Sequence, residues 1–317
     1  MQTSKKLEIL NNSNYFWSTK ELMMMNTLTF RVATFFLFLL FLPNIIEAQK
    51  IPTVIVSILP QQYFVQCIAK DRINVEVLVQ PGASPATYEP TPLQMAIISK
   101  APVFFSIGVP FEKKWLPKIG QLYPNIKIIQ TDKGIEKIPI NNHTHDHGKH
   151  HKKIETEHLD PHIWLSPPLV MMQIRHILLT LQFIDPKNKQ FYEQNYRTFM
   201  IDLIKLDMEL RNMFDRQKQY KFMVFHPSWG YFAQAYGLRQ CPIEIEGKDI
   251  KPSQLTELIK MARTNNIRII FAQPQFSSKS AQLIAQEIGG QIVFIDPLAL
   301  DWENNLRTVS RQILSHQ

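Results

Sequence analysis

The sequence predicts an α/β protein of two lobes, each built on a mostly parallel sheet, joined by one long rigid helix. Two patterns carry that expectation. Strand-length apolar runs alternate with helical stretches in two separate sets, and between the sets an amphipathic repeat runs on without Gly or Pro. Composition agrees: 317 residues with 45% hydrophobic and 20% charged side chains supply one large or two medium cores and exclude a disordered chain. Ten Gly and 21 Pro exclude a collagen-like or glycine-linker protein. The net charge of +8 is scattered rather than gathered into a basic stripe, so no nucleic-acid partner is expected.

Residues 1–48 read as a cleavable signal peptide. Val32 to Leu42 is apolar except at Thr34, the length of a signal core and too short to span a bilayer. Arg31 precedes it, and small Ala48 ends a suitable cleavage site. A start at Met25 gives a leader of ordinary length and leaves residues 1–24 as an upstream extension. No Cys follows the apolar core, so export to the periplasm without a lipid anchor is expected.

The N-terminal lobe, 49–184, has strand patterns near 53–58, 74–79, 102–107 and 126–130. The C-terminal lobe, 220–317, repeats the alternation with strands near 221–225, 267–272 and 291–295. Between them a linker helix is predicted over 185–219. Asp185-Pro186 offers a cap and a first helical residue, and Tyr192, Tyr196, Phe199, Leu203, Leu206, Leu210 and Met213 recur at spacings of three and four. Some 30 helical residues would reach roughly 45 Å. Cys67 and Cys241 are too few for a disulfide framework and read as buried thiols. A monomer is expected.

Histidines are concentrated in one polar stretch. His143, His145, His147, His150 and His151, followed by His158, lie in loop 141–158, where closely spaced imidazoles suit an adaptable collector of Zn²⁺, Cu²⁺ or Ni²⁺. Three further residues stand beside prolines that fix the backbone: His162 in Asp160-Pro-His-Ile-Trp164, His226 in Phe225-His-Pro-Ser228, and Asp296 in Ile295-Asp-Pro-Leu298. His226 and Asp296 follow predicted strands, where open α/β sheets place ligands. Two imidazoles and a carboxylate form a divalent-metal set. Spacing alone leaves a structural role for each of them open.

The ordered motifs go further. Pro81-Gly-Ala-Ser-Pro-Ala-Thr-Tyr-Glu-Pro90, Asp160-Pro-His-Ile-Trp-Leu-Ser-Pro167, Phe225-His-Pro-Ser-Trp-Gly-Tyr-Phe232, Phe271-Ala-Gln-Pro-Gln-Phe276 and Ile295-Asp-Pro-Leu298 resemble, in order, the metal-binding subunits of ABC-type zinc and manganese importers. The resemblance covers residues 50 to 310 and includes a His-rich loop before the second motif. It implies a non-enzymatic periplasmic receptor that binds metal between two lobes and delivers it to a membrane permease with its cytosolic ATPase. It also implies His162 and His226 as imidazole ligands and Asp296 as the acidic one. Zn²⁺ is the expected cargo, with Mn²⁺ or Fe²⁺ as alternatives.

One position departs from the family. Ala86 stands where many members carry a ligand His, and a methyl group cannot bind metal. Water, nearby Glu89, or an imidazole of the 141–158 loop could complete the site; Glu89 equally suits the helix start at Thr91-Pro92. Trp164 reads as lobe packing and Glu246 as a surface or loop-ordering group. Two alternatives stay open: a secreted zinc-dependent hydrolase using the vacant position, and a metal-independent adhesin on the same scaffold. The chain has neither a His-Glu-x-x-His helix nor a Gly-x-Ser-x-Gly elbow.

Overall fold

The computed structural model describes residues 51–140, 159–217, 219–244, 252–276 and 279–315, together with residue 24. Apart from Met24, the leader at 1–48 lies outside the described residues, as do the His-rich loop 141–158 and Glu246. Among the described residues, no helix is long and apolar enough to cross a membrane.

Residues 51–315 carry two four-stranded sheets, both wholly parallel. The first contains β1 (Thr53–Val56), β2 (Asn74–Val77), β3 (Val103–Ser106) and β4 (Lys127–Gln130) in the order β2-β1-β3-β4. The second contains β5 (Lys221–Val224), β6 (Arg239–Pro242), β7 (Ile269–Ala272) and β8 (Gln291–Phe294) in the order β6-β5-β7-β8. The two sheets therefore share one winding. Each reverses direction between its first and third strands, and such a switch point opens a crevice at the carboxyl ends of those strands.

Helices cover both sheets: α1 (Leu59–Ala69), α2 (Pro92–Ile98), α3 (Pro110–Leu122) and α4 (Pro167–Ile184), then α6 (Gly230–Tyr236), α7 (Pro252–Thr264), α8 (Lys279–Glu287) and α9 (Trp302–Ser315). Between α4 and β5 runs the long helix α5 (Lys189–Phe214). It is shorter than the sequence pattern suggests at its start. Asp185 ends α4, and Pro186–Asn188 form a 3₁₀ turn before α5 begins. The buried Asp185 carboxylate accepts from Tyr192 Oη at 2.5 Å and Asn188 Nδ2 at 2.7 Å, so it pins the turn instead of capping the helix. Tyr192, Phe199, Leu203, Leu206, Leu210 and Phe214 form the buried stripe of α5. Phe214 takes the last inward position, leaving Met213 half-buried.

One core runs through the first sheet, α5 and one face of the second sheet, joining Phe64, Trp164, Phe199, Trp229 and Trp302. Phe64 and Trp302 meet edge to face at 5.1 Å, and Tyr63 meets Phe199 at 5.9 Å, so α1, α5 and α9 lock through aromatic contacts. The second sheet alternates as a pleat requires. Phe222 and Phe271 face this core, while Met223 and Ile270 face a smaller one under α7 and α8. Arg307 on α9 reaches Glu209 on α5 at 2.8 Å. The two cysteines are free, Cys241 buried and Cys67 half-buried. Burial pushes the Cys67 thiol up to about 11.

The crevice of the first sheet is closed by a buried acid. Glu112, in the first turn of α3, accepts from Ser57 Oγ just after β1, from Ile107 N at 3.0 Å and from Gly108 N at 2.7 Å. The bend it holds needs glycine: Gly108 has φ +87°, and a Cβ there would collide with the Asp132–Lys137 ion pair. Burial pushes the Glu112 carboxyl up to about 7, overriding three hydrogen bonds that favour the charged form. A carboxyl raised on folding contributes stability that is fully present below its unfolded value and is lost as pH rises through about 7. Replacing Glu112 by Gln should therefore remove a fall in stability between pH 5 and pH 8, read by urea unfolding at each pH. An identical pH slope in both proteins would contradict the assignment.

Candidate metal centre

The two prolines that follow or precede each candidate histidine sit in segments that the fold holds tightly. His162 lies between Pro161 and the 3₁₀ turn Ile163–Leu165 that leads into α4. His226 lies two residues beyond β5, at the carboxyl end of a switch-point strand. Gln273, following β7, brackets His226 from the neighbouring strand: its Oε1 accepts from His226 N and its Nε2 donates to His226 O, both at 3.0 Å.

These segments bring the two imidazoles together, with ring centroids 5.3 Å apart and planes at 74°. Two imidazoles sharing one tetrahedral ion have centroids separated by about 5 Å, from metal–nitrogen bonds of about 2.0–2.1 Å. Each ring is oriented by a buried carboxylate. His162 Nδ1 is 2.6 Å from Asp160 Oδ1, and His226 Nδ1 is 3.1 Å from Glu244 Oε2. A carboxylate can only accept, so Nδ1 carries the proton of the neutral ring and Nε2 keeps its lone pair. This carboxylate–imidazole arrangement orients and strengthens metal-binding histidines.

Packing fixes the rest. Phe276 stacks on His226 at 4.4 Å and 22°, and Trp164 lies 5.1 Å from His162. Trp164 Nε1 donates to Pro297 O at 2.8 Å, and Trp302 Nε1 donates to Trp164 O at 2.7 Å, tying the His162 segment to the end of the second sheet. Gly230 is required beside Asp160, because a Cβ there would lie 2.6 Å from Asp160 Oδ2. Desolvation lowers the pKa of His226, against the raising influence of Glu244. The ring is therefore neutral at neutral pH, the form that binds metal.

Both imidazoles line a cavity of about 220 Å³, together with Ala86, Lys113, Gln275 and Phe276. Ile140 and Leu159, the residues flanking the His-rich loop, line it too, and Pro139 pairs with Leu159 in an antiparallel bridge. The residues on either side of the loop thus meet at this cavity.

The other two candidate ligands stand apart. Asp296 has Oδ1 engaged by Gln275 Nε2 at 2.7 Å and Leu298 N at 2.9 Å, and its neighbours Pro297 and Leu298, rather than its own carboxylate, line the cavity. Glu89 is on the surface, ion-paired with Lys114, which holds its carboxyl below the usual range. The helix start at Thr91 is capped by its own box with Gln94, so Glu89 is not needed there. Among the described residues no group of three or more His, Cys, Asp or Glu side chains is close enough to enclose a metal ion. Sequence reading did not single out Asp160 or Glu244 as partners of the rings. Asp160 is legible as the residue two before His162, whereas Glu244 meets His226 only through the β5–β6 pairing.

Comparison with known proteins gives the relatives of the chain. Residues 54–313 match the family model described as zinc-uptake complex component A, periplasmic. The high-affinity zinc uptake system protein ZnuA of Bacillus subtilis is 30% identical over 251 residues, 77% of this chain and 78% of that protein. The iron-binding protein YfeA of Yersinia pestis is 26% identical over 75% of each chain. A crystal structure of ZnuA at 40% identity superposes with a TM-score of 0.77, over 84% of this chain and 99% of its own.

If the buried carboxylates serve the rings, Asp160→Asn and Glu244→Gln should each lower divalent-metal affinity about ten- to a hundredfold while leaving the fold intact. Zinc titration calorimetry alongside circular dichroism reads both, and unchanged affinity would assign the carboxylates to packing alone.

Proposed function

The chain belongs to the family of periplasmic zinc-uptake components, and on that premise we propose that it captures a divalent transition metal, zinc foremost, and hands it to the permease of an ABC importer. Its relatives are binding and transport proteins, not enzymes. The observation that carries the reading is the pair His162 and His226, each with Nδ1 held by a buried carboxylate and both facing one cavity. The donor set suits the ion: neutral imidazoles are the borderline ligands that zinc prefers, and manganese or iron would accept them as well.

In this proposal His162 and His226 donate through Nε2. Asp296, whose carboxylate does not line the cavity and whose Oδ1 is held by Gln275 and Leu298, has to turn toward the ion to supply the acid through Oδ2. Glu89, held by Lys114 outside the cavity, is left out of the set. The chain works as a monomer in the periplasm, exported by cleavage of residues 1–48 and carrying no lipid. His143, His145, His147, His150 and His151 collect metal for the cavity, which the residues flanking their loop line. Helix α5 contributes to the cores of both sheets. Loaded and empty forms then differ in the walls of the cavity more than in overall shape, and the permease reads those walls.

The test is metal stoichiometry by elemental analysis. One zinc per chain should survive deletion of residues 141–158 and be lost in His226→Ala; retention in His226→Ala would sink the assignment. Acidification supplies a second check. Because desolvation lowers the His226 pKa, proton competition at that ring begins below the ordinary imidazole value near 6.5. Zinc affinity should hold at pH 7–8 and fall between about pH 6.5 and pH 5. A flat profile would exclude imidazole ligation.

A further inference from the structure

The two imidazoles are carried by segments far apart in the chain, and one hydroxyl joins those segments. Tyr231 stands at the second position of α6, five residues after His226, and is buried. Its Oη donates to the carbonyl of Asp160 at 2.9 Å and accepts from the amide of Ile138 at 3.1 Å. Both directions are fixed, because a carbonyl can only accept and an amide N–H can only donate. Asp160 N in turn donates to Ile138 O at 2.8 Å, which closes a ring of hydrogen bonds among Tyr231, Ile138 and Asp160. Burial raises the Tyr231 phenol above its ordinary value, so the hydroxyl keeps its proton at neutral pH.

That ring of bonds reaches both histidines through short links. On one side Asp160 Oδ1 holds His162 twice, accepting from its backbone N at 2.9 Å and meeting its Nδ1 at 2.6 Å. On the other side the turn from His226 to Tyr231 is pinned, with Ser228 N donating to His226 O at 2.8 Å and Trp229 N to Gln240 Oε1 at 3.0 Å. Gly230 brings α6 against Asp160 with no room for a side chain. Tyr231 is thus placed to fix the distance between the two rings, whose centroids lie 5.3 Å apart. Different ions depend on that distance unequally. Imidazole suits zinc, whereas carboxylate, carbonyl and water suit manganese, and affinity at a given site is greater for zinc than for manganese. An ion that relies on both nitrogens loses more when the rings drift than one that relies on them weakly.

We propose that Tyr231 is a positioning residue that sets the spacing of the imidazole pair and, through it, the preference of the site for zinc over manganese. The proposal rests on the metal-capture reading above and names a residue outside the ligand set on which selectivity depends.

Zinc and manganese affinities are measured separately, by competition with a chromophoric chelator, for the full chain and for Tyr231→Phe. The variant should bind zinc about tenfold more weakly, the lower end of the range for groups that orient metal ligands. It should lose less for manganese, so the zinc-to-manganese ratio narrows. Tyr236→Phe, which removes a buried hydroxyl bonded to Asp207 from the same helix, should leave that ratio unchanged. Equal losses for the two ions, a larger loss for manganese, no loss, or the same narrowing in Tyr236→Phe would assign Tyr231 to packing and overturn the inference, while metal capture stands. Should Tyr231→Phe fail to fold by circular dichroism, hydrogen exchange on the unaltered chain decides. Saturating zinc should slow exchange at the Ile138 amide more than saturating manganese does, and equal or absent protection overturns the inference. If the unaltered chain binds neither ion, the capture reading fails, and this inference with it.

Discussion

Two hydrogen bonds between buried carboxylates and imidazoles, Asp160 to His162 and Glu244 to His226, are the constraint from which the rest of this molecule can be understood. Taking a carboxylate out of water is costly unless it is paired and hydrogen-bonded. The protein meets that cost with a dense local frame. Asp160 also accepts from His162 N at 2.9 Å, its carbonyl accepts from Tyr231 Oη at 2.9 Å, and Gly230 leaves room for its second oxygen. The result is a pair of rings whose orientation does not wait for a ligand. Such preorganisation lowers the entropy lost on binding.

The sheets explain why the frame can be assembled at all. All pairings in both are parallel, so each strand returns through a helix and each sheet presents its carboxyl ends on one side. Turns after β3 and β5 contribute to the cavity, the first through Gly108 and Val109 and the second through His226. Glu112 and Gln273 have corresponding duties, each a buried polar side chain that binds backbone amides at its own switch point. Chemistry is then added by what the turn carries: an imidazole in the second sheet, and only backbone and the apolar side chain of Val109 in the first.

Much of this was legible in the sequence, for identifiable reasons. Strands such as Val103–Ser106 and Ile269–Ala272 are buried on both faces, so they read as unbroken apolar runs. The long helix announced itself by its three-and-four spacing, but its start did not. Asp185-Pro186 has the look of a cap, yet the hydrogen bonds from Tyr192 and Asn188 turn Asp185 inward. His162 and His226 were visible through their prolines and motif order. Their convergence and the Glu244 contact depend on strand pairing, which local pattern does not encode. Asp296 was visible for the same reason as the histidines, but its engagement with Gln275 is a packing fact no spacing reveals.

The antiparallel bridge between Pro139 and Leu159 has a separate consequence. Once the two ends of a connection are paired, the cost of closing it grows only with the logarithm of its length, about 0.6 kcal/mol for each doubling. Lengthening or shortening the connection over 141–158 therefore adds only a small closure cost. Whatever the length of the connection between them, the pairing of Pro139 with Leu159 keeps both of its ends beside the cavity.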